Sequence, residues 1–181
     1  LLGLLLGSFL NVCIHRMPLK QSIVRPRSRC PHCENPVRAY DNIPVLSFLL
    51  LGGKCRFCRA PIPWSYPLVE LATGLTFLLL WVRFELAPDF FAGCIFSGSL
   101  IALSVIDYYH QILPEIITLP LIGLALGWSF FRPGFGFGRA LLGAAVGAGF
   151  LLLIYGAYYL LKKREGLGLG DVTLMVLIGA F

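Results

Sequence analysis

Four of the six cysteines form two short pairs that could hold a metal ion. They are Cys30-Pro-His-Cys33 and Cys55-Arg-Phe-Cys58, with 21 residues between Cys33 and Cys55. Tetrahedral zinc needs four soft donors, and two tight turns of this kind bring four thiolates together. Because four thiolates leave no open position for a substrate water, the spacing predicts a structural zinc site. Two disulfides or redox-active cysteine pairs are the alternatives.

Two aspartates stand where long apolar segments meet polar ones. Asp107 closes an apolar run in Ser104-Val-Ile-Asp107, and Asp171 follows the glycine-rich segment Gly166-Leu-Gly-Leu-Gly170. Two carboxylates brought together share a proton, so that one acts as a base toward water while the other donates to a carbonyl. The two residues therefore predict an aspartic protease dyad. Taken singly, Asp107 could be an interfacial residue that ends a helix, and Asp171 a charge favoured by a helix N-terminus.

The composition indicates an integral membrane protein. Of 181 residues, 57% are hydrophobic and only 13% are charged, whereas a soluble domain carries about 25% charge. A water-soluble globule cannot bury so many apolar side chains, and intrinsic disorder is excluded on the same ground. The prediction is an all-α polytopic membrane protein with about six transmembrane helices, the first and last incomplete. The helices are predicted at 1–14, 67–82, 90–106, 116–131, 140–161 and 174–181.

The chain divides at a polar, basic insert. Residues 1–14 form the first helix, residues 15–66 the zinc-binding insert, and residues 67–181 the remaining membrane core. The insert contains nine Lys and Arg residues but only two acidic residues. A basic block beside apolar spans is typical of a cytoplasmic loop that faces anionic lipid, so we expect no nucleic-acid partner. The reducing cytoplasm also disfavours disulfides.

Several other residues have simpler interpretations. Cys13 and Cys94 lie in apolar spans and are expected to be small buried hydrophobes, while His32 is expected to be a bystander to the metal. Glu70 and Glu115 can complement helix N-termini. We find no internal repeat. Small residues at a four-residue spacing in the predicted helix 140–161 predict close packing against another helix: Gly143, Ala144, Gly147 and Ala148.

Taken together, these motifs resemble the type IV prepilin peptidases, a family of bifunctional leader peptidases and N-methyltransferases. The resemblance covers nearly the whole chain in order. It rests on Gly7-Ser-Phe-Leu-Asn-Val-Cys-Ile-His-Arg-Met-Pro18, Ser28-Arg-Cys-Pro-His-Cys33, Asp41-Asn-Ile-Pro44, Lys54-Cys-Arg-Phe-Cys58, Tyr66-Pro-Leu-Val-Glu70 and the two aspartate motifs.

The resemblance implies a GxGD-type membrane aspartic protease in the bacterial inner membrane, with Asp107 and Asp171 as catalytic residues. Its substrates would be type IV prepilins and pseudopilins, cut at the cytoplasmic face after a glycine. The new N-terminus would then be methylated with S-adenosylmethionine, in the region of Gly53 and Lys54. Two departures stand out. Thr173 replaces the family's usual lysine, and the family has about eight spans. No oligomeric state is indicated.

Two hypotheses from other classes compete with a protease. A non-enzymatic membrane adaptor that docks a partner through its zinc ribbon explains the cysteines but leaves the paired aspartates unexplained. A transporter with proton-relaying carboxylates would place acids near mid-bilayer, whereas Asp107 and Asp171 are predicted at the membrane edge.

The charge distribution makes a testable prediction of orientation. Twelve of the fifteen Lys and Arg residues fall on the side of the insert, and only Arg83, Arg132 and Arg139 fall on the other. Because basic loops stay in the cytoplasm, a cysteine probe at 134–138 should react with an impermeant reagent added to intact cells. A probe at 38–42 should not react until the cells are opened. The reverse pattern would overturn the orientation and the position predicted for the aspartates.

Overall fold

The computed structural model describes residues 1–132, 134, 136–163 and 168–181. Apart from two isolated β-bridges, the regular structure in these ranges is helical. One 3-10 turn, Ala39–Asn42, lies within the insert. The α-helices are α1 (Leu2–Arg16), α2 (Leu46–Leu50), α3 (Ser65–Phe84), α4 (Pro88–His110), α5 (Glu115–Ser129), α6 (Phe137–Lys162) and α7 (Leu169–Ala180).

Six of these helices are apolar, which confirms the predicted membrane fold. Helices α3, α4 and α6 have 20, 23 and 26 residues and are long and apolar enough to cross a membrane. At a rise of about 1.5 Å per residue, a 20-residue helix covers the roughly 30 Å hydrocarbon layer. Helices α1, α5 and α7 are apolar but shorter. Helix α2, inside the insert, was not predicted.

Three helices differ from the predicted ones by three residues or more at one end. Helix α4 extends to His110, not Ile106, so Asp107 lies inside its last turn. Helix α7 begins at Leu169, not at Leu174, because the Asp171 side chain accepts a hydrogen bond from the Gly168 N–H and so caps the helix. Helix α6 begins at Phe137, so Gly138 is helical and not part of the predicted turn 134–138. Pro133, Phe135 and residues 164–167 lie outside the described part of the chain, and Gly166 of the glycine motif is among them.

The chain forms two compact units, residues 1–110 and residues 111–181. In the first unit, α1 packs against α3 at glycines: a Cβ on Gly7 would lie 2.7 Å from the Glu70 Cα. An aromatic core of Phe77 and Phe90 encloses Cys94 between α3 and α4. Cys13 is also buried, as predicted. The predicted division of the chain into a first helix (1–14), an insert (15–66) and a membrane core (67–181) stays a prediction.

The second unit depends on a close approach of α6 and α7. A Cβ on Gly143 would collide with the backbone oxygen of Gly179, and one on Gly147 would lie 2.5 Å from the oxygen of Met175. The predicted role of Gly143 and Gly147 in close packing is therefore confirmed. Because Asp171 lies in the first turn of α7, this contact also positions its carboxylate relative to α6.

We expect Gly143→Leu to destabilise the second unit. The added side chain must force α6 away from α7, which should cost at least about 1–3 kcal/mol. The measurement is the thermal unfolding midpoint of the detergent-solubilised protein. Gly149→Leu is the matched control, because a Cβ on Gly149 of the same helix meets nothing within 4 Å. Equal midpoints for the two variants would contradict the close packing.

Candidate functional site

The two cysteine pairs lie on two hairpins with the same backbone structure. Residues 28–37 and residues 53–62 repeat with an offset of 25 positions, and each ends in a hydrogen bond between its outermost residues. In the first hairpin the backbone bonds are Cys30 N–H to Asn35 O at 3.0 Å, Glu34 N–H to Cys30 O at 2.9 Å and Val37 N–H to Ser28 O at 2.8 Å. The equivalent bonds in the second hairpin are Cys55 N–H to Ala60 O at 2.8 Å, Arg59 N–H to Cys55 O at 3.1 Å and Ile62 N–H to Gly53 O at 2.7 Å.

This repeat corrects the expectation that the chain has none. The sequence signal was present as a basic residue, Cys-x-x-Cys, two further residues and proline, in 29–36 and in 54–61. The residue after each second cysteine is left-handed, with φ of 56° at Glu34 and 59° at Arg59. Non-glycine residues rarely adopt this conformation. Its presence at the same place in both hairpins indicates that each turn is shaped to direct two sulfurs to one point.

The four sulfur atoms meet as a metal site requires. The Sγ atoms of Cys30, Cys33, Cys55 and Cys58 all lie within 4.8 Å of one another. Those of Cys30 and Cys58 are 3.7 Å apart, and those of Cys33 and Cys55 are 4.0 Å apart. Thiolates around tetrahedral zinc, at about 2.3 Å from the metal, are about 3.8 Å apart. A disulfide needs about 2.05 Å, so all four are free thiols suited to one metal ion.

Local hydrogen bonds favour thiolates at two of the four positions. Backbone N–H groups of Cys58 and Phe57 lower the pKa of Cys55 to about 6. A hydrogen bond from the Asn35 backbone lowers the pKa of Cys33. At Cys58 the Ala60 backbone acts in the same direction, but desolvation and the neighbouring thiols outweigh it and raise the pKa to about 11. Four negative sulfurs at this range repel one another, so a bound cation is what makes the cluster electrostatically favourable.

The second hairpin is attached to the 3-10 turn by one arginine and stacked side chains. Arg56 donates to both carboxylate oxygens of Asp41, with Nε 2.9 Å from Oδ2. This hydrogen bond lowers the pKa of Asp41. The Arg56 guanidinium lies 5.4 Å from the Tyr40 ring, and that of Arg38 lies 5.4 Å from the Phe57 ring. Arg56 and Phe57, which lie between the two cysteines of this hairpin, therefore orient the hairpin relative to the 3-10 turn.

Glu70 connects the insert to the membrane helices. Its side chain, 8% exposed on α3, accepts a hydrogen bond of 2.7 Å from the Val45 N–H just before α2. Val45 has a φ of 60°, a strained conformation that this bond helps to hold. Gly7 of α1 packs directly against the backbone of Glu70. The sequence interpretation of Glu70 as a simple helix N-terminal charge missed these contacts, which join three segments.

A groove lies between α2 and the second hairpin. It has a volume of about 540 Å³ and is lined in part by Phe48, Gly53, Lys54, Pro61 and Trp64. The Phe48 and Trp64 rings meet edge to face with centroids 4.8 Å apart. The lining of the groove is mainly apolar, and Lys54 is the charged residue among the lining residues. The predicted methyl-donor region, Gly53 and Lys54, forms part of this groove.

The two aspartates lie at helix ends, as predicted. Asp107 is exposed in the last turn of α4 and belongs to the first unit. Asp171 is half-buried in the first turn of α7 and belongs to the second unit. Thr173, which takes the place of the family's usual lysine, donates to the Gly170 carbonyl at 2.8 Å. That Asp107 and Asp171 act together as a catalytic pair stays a prediction.

The remaining polar candidates have the simple roles expected of them. Glu115 lies in the first turn of α5, where a carboxylate complements the helix dipole. His32 is exposed on the first hairpin and is not one of the clustered metal donors.

An apolar helical chain with a four-thiol cluster in a basic insert defines a polytopic membrane protein whose cysteine cluster could hold a metal ion. Comparison with known families narrows this class. The Bacterial Peptidase A24 N-terminal domain matches residues 1–84, and the Type IV leader peptidase family matches residues 94–181. The chain belongs to the type IV leader peptidase family, which confirms the resemblance found in the sequence.

Curated relatives agree with this assignment. The chain is 46% identical to the prepilin leader peptidase/N-methyltransferase of Myxococcus xanthus over 99% of its length and 54% of the relative's. It is 40% identical to that of Stutzerimonas stutzeri and 38% identical to that of Pseudomonas aeruginosa, and it spans 70% of each. No solved structure matches the chain. The predicted class of enzyme, a prepilin peptidase, is confirmed at the level of the family.

We expect one zinc per chain, bound by Cys30, Cys33, Cys55 and Cys58. Replacing any one of them with serine should remove the metal and loosen the insert, because three thiolates cannot complete the tetrahedral coordination of zinc. Elemental analysis of the purified protein measures the metal, and trypsin digestion of the insert measures its order. Cys94→Ala, which alters a cysteine buried among apolar side chains, should retain full zinc. Metal-free protein with four alkylatable thiols would refute the site.

Proposed function

We propose that the protein cleaves the leader peptides of type IV prepilins and pseudopilins at the cytoplasmic face of the bacterial inner membrane, with Asp107 and Asp171 as its catalytic pair. The observation that carries the proposal is the placement of both carboxylates at the ends of apolar helices. Asp107 ends a 23-residue helix that is apolar enough to span a membrane, and Asp171 lies in the first turn of α7. Family membership supplies the class of reaction.

The proposed reaction is peptide hydrolysis by an activated water. One carboxylate removes a proton from water as the water oxygen attacks the scissile carbonyl carbon. The other, protonated, carboxyl donates its proton to the carbonyl oxygen. The tetrahedral intermediate collapses when the amide nitrogen is protonated and the carbon–nitrogen bond breaks. The products are the leader with a new carboxyl group and the mature protein with a new amine.

The local structure around Asp171 suits a substrate backbone. Gly168 and Gly170 flank the start of α7, and a Cβ on Gly170 would approach Leu113 to 3.0 Å. The space beside Gly170 is therefore filled by Leu113, whereas a Cβ on Gly168 would lie 3.6 Å from the Asp171 Oδ2, so glycine at 168 keeps that side of the carboxylate open to a peptide. Thr173 supplies a neutral hydrogen-bonding group on the same helix and keeps its proton on the Gly170 carbonyl. Because Thr173 occupies the position of the family's usual lysine, no ammonium group lies two residues after Asp171.

Zinc and S-adenosylmethionine complete the proposal. Zinc bound to the four thiolates would close both hairpins and provide no catalytic water. For the methyl donor, we propose the groove beside Gly53 and Lys54, where the Phe48 and Trp64 rings can contact an adenine and the Lys54 ammonium can contact a carboxylate. A non-enzymatic adaptor has no support among the three relatives described above, each of which is named as an enzyme.

We expect Asp107→Asn and Asp171→Asn each to lower leader cleavage by at least about 10²-fold, because an amide can neither accept a proton from water nor share one with its partner. The double variant should be barely worse than either single one. Asp→Glu should fail too, since an extra methylene displaces the carboxyl group. The assay is loss of the leader from a prepilin mixed with the full-length protein.

Asp89→Asn is the matched control. Asp89 lies in the first turn of α4, at the opposite end of the helix from Asp107, so cleavage should be retained. A pre-cleaved pilin supplied to either catalytic variant should still accept a methyl group, which shows that the protein is folded. Near-normal cleavage by either asparagine variant would contradict the assignment.

A further inference from the structure

Helix α2 has the polarity of a membrane-exposed element although it lies within the polar insert. Its sequence is Leu-Ser-Phe-Leu-Leu. The only polar residue, Ser47, is 6% exposed and bonds its hydroxyl to the Ile43 carbonyl. Leu49 and Leu50 are 64% and 77% exposed. A helix in water buries leucine and exposes serine, because exposed apolar area costs about 25 cal/mol per Å². This arrangement is the reverse.

The exposed leucines continue into an exposed tryptophan at the start of a membrane span. Trp64, 75% exposed, immediately precedes α3 and contacts Phe48 of α2. The Glu70 carboxylate, on the second turn of α3, holds the Val45 N–H at the start of α2. Two independent contacts therefore fix α2 beside the end of a helix that crosses the membrane. Tryptophan at such an end lies at the level of the lipid headgroups.

We propose that Leu46, Leu49, Leu50 and Trp64, here called the α2 surface, insert into the interfacial layer of the bilayer and hold the metal-binding insert flat against the membrane. Five residues extend only about 7.5 Å, so α2 lies in the interface and does not cross the bilayer. Lys54 and Arg59, both exposed on the neighbouring hairpin, are complementary to anionic headgroups. The proposal depends on α3 being a membrane span and is independent of the catalytic assignment.

This position has a consequence for the groove. Phe48 and Leu49 of α2 and the neighbouring Trp64 line the groove. If the α2 surface inserts into the bilayer, the mouth of the groove therefore lies at the headgroup layer. A substrate anchored in the bilayer by an apolar helix would meet the groove without leaving the membrane. The α2 surface thus aligns the insert with substrates of that kind.

A single-tryptophan reporter tests the contact with lipid. The chain has three tryptophans, and Trp64, Trp81 and Trp128 can be changed to phenylalanine in the full-length protein before Leu49→Trp is added. In bilayers of phosphatidylethanolamine and phosphatidylglycerol, the new indole should lose emission to lipids brominated near the top of the acyl chains. It should also be shielded from acrylamide. His32→Trp, on the exposed tip of the first hairpin, is the control and should show the opposite pattern.

Two results would overturn the proposal. Quenching of the Leu49→Trp indole by acrylamide without quenching by brominated lipid would place α2 in water. Shielding from both quenchers would show that protein, either a second copy or another segment, covers the α2 surface.

A second experiment tests the role of the α2 surface in holding the insert. Leu49→Ser with Leu50→Ser should increase the rate of trypsin cleavage after Lys54 and Arg59 in bilayers, while the zinc content stays at one per chain. Leu49→Met with Leu50→Met preserves apolar surface and should behave as the parent. Equal cleavage rates for the serine and methionine variants, at equal zinc content, would contradict the proposal.

Discussion

The hydrocarbon layer of a membrane imposes the constraint on which the rest of this structure depends. It contains no water to hydrogen-bond a backbone or to solvate a charge, so chain within it must be helical and its charges must lie at the helix ends. Asp107 at the end of α4 and Asp171 at the start of α7 meet this condition. We therefore expect the proposed chemistry to lie where water and a membrane-anchored peptide can both reach it.

The insert is held by directional contacts, since its large apolar residues are exposed or half-buried and do not form a buried core. The four thiols converge from two equivalent hairpins, and the bidentate pair of Arg56 and Asp41 orients the second of them. Glu70 lies on α3, where Gly7 of α1 packs against its backbone. These contacts act at different places: the thiol cluster brings the two hairpins together, whereas Glu70 attaches the segment before α2 to the membrane helices.

The helices themselves pack through small residues. Lipid tails are as apolar as the helix surfaces, so the hydrophobic effect does not drive one helix against another. Gly7 allows α1 to approach α3, and Gly143 and Gly179 do the same for α6 and α7. Close backbone contact replaces the large interdigitating side chains of a soluble core. Leucines and phenylalanines are then free to face outward, as the exposed α2 surface also shows.

The sequence by itself determined the six apolar helices, the cluster of four cysteines and the family, because hydropathy and motif spacing are local properties of the chain. It also predicted the close packing at Gly143 and Gly147 from their four-residue interval. The start of α7 was misplaced by five residues, since Gly168 and Gly170 are typical of a turn, whereas the Asp171 side chain accepts from the Gly168 N–H and caps a helix that already includes Gly170.

Only the tertiary structure decided which distant groups meet. Glu70 and Val45 are 25 residues apart, and nothing in either segment indicates that a carboxylate on one helix accepts from a strained backbone N–H on another. The reversed polarity of α2 is equally invisible in a run of leucines, because a five-residue helix shows which face is buried only when its neighbours are in place. Hydrogen-bond partners depend on distance and direction in three dimensions, and spacing along the chain does not encode these.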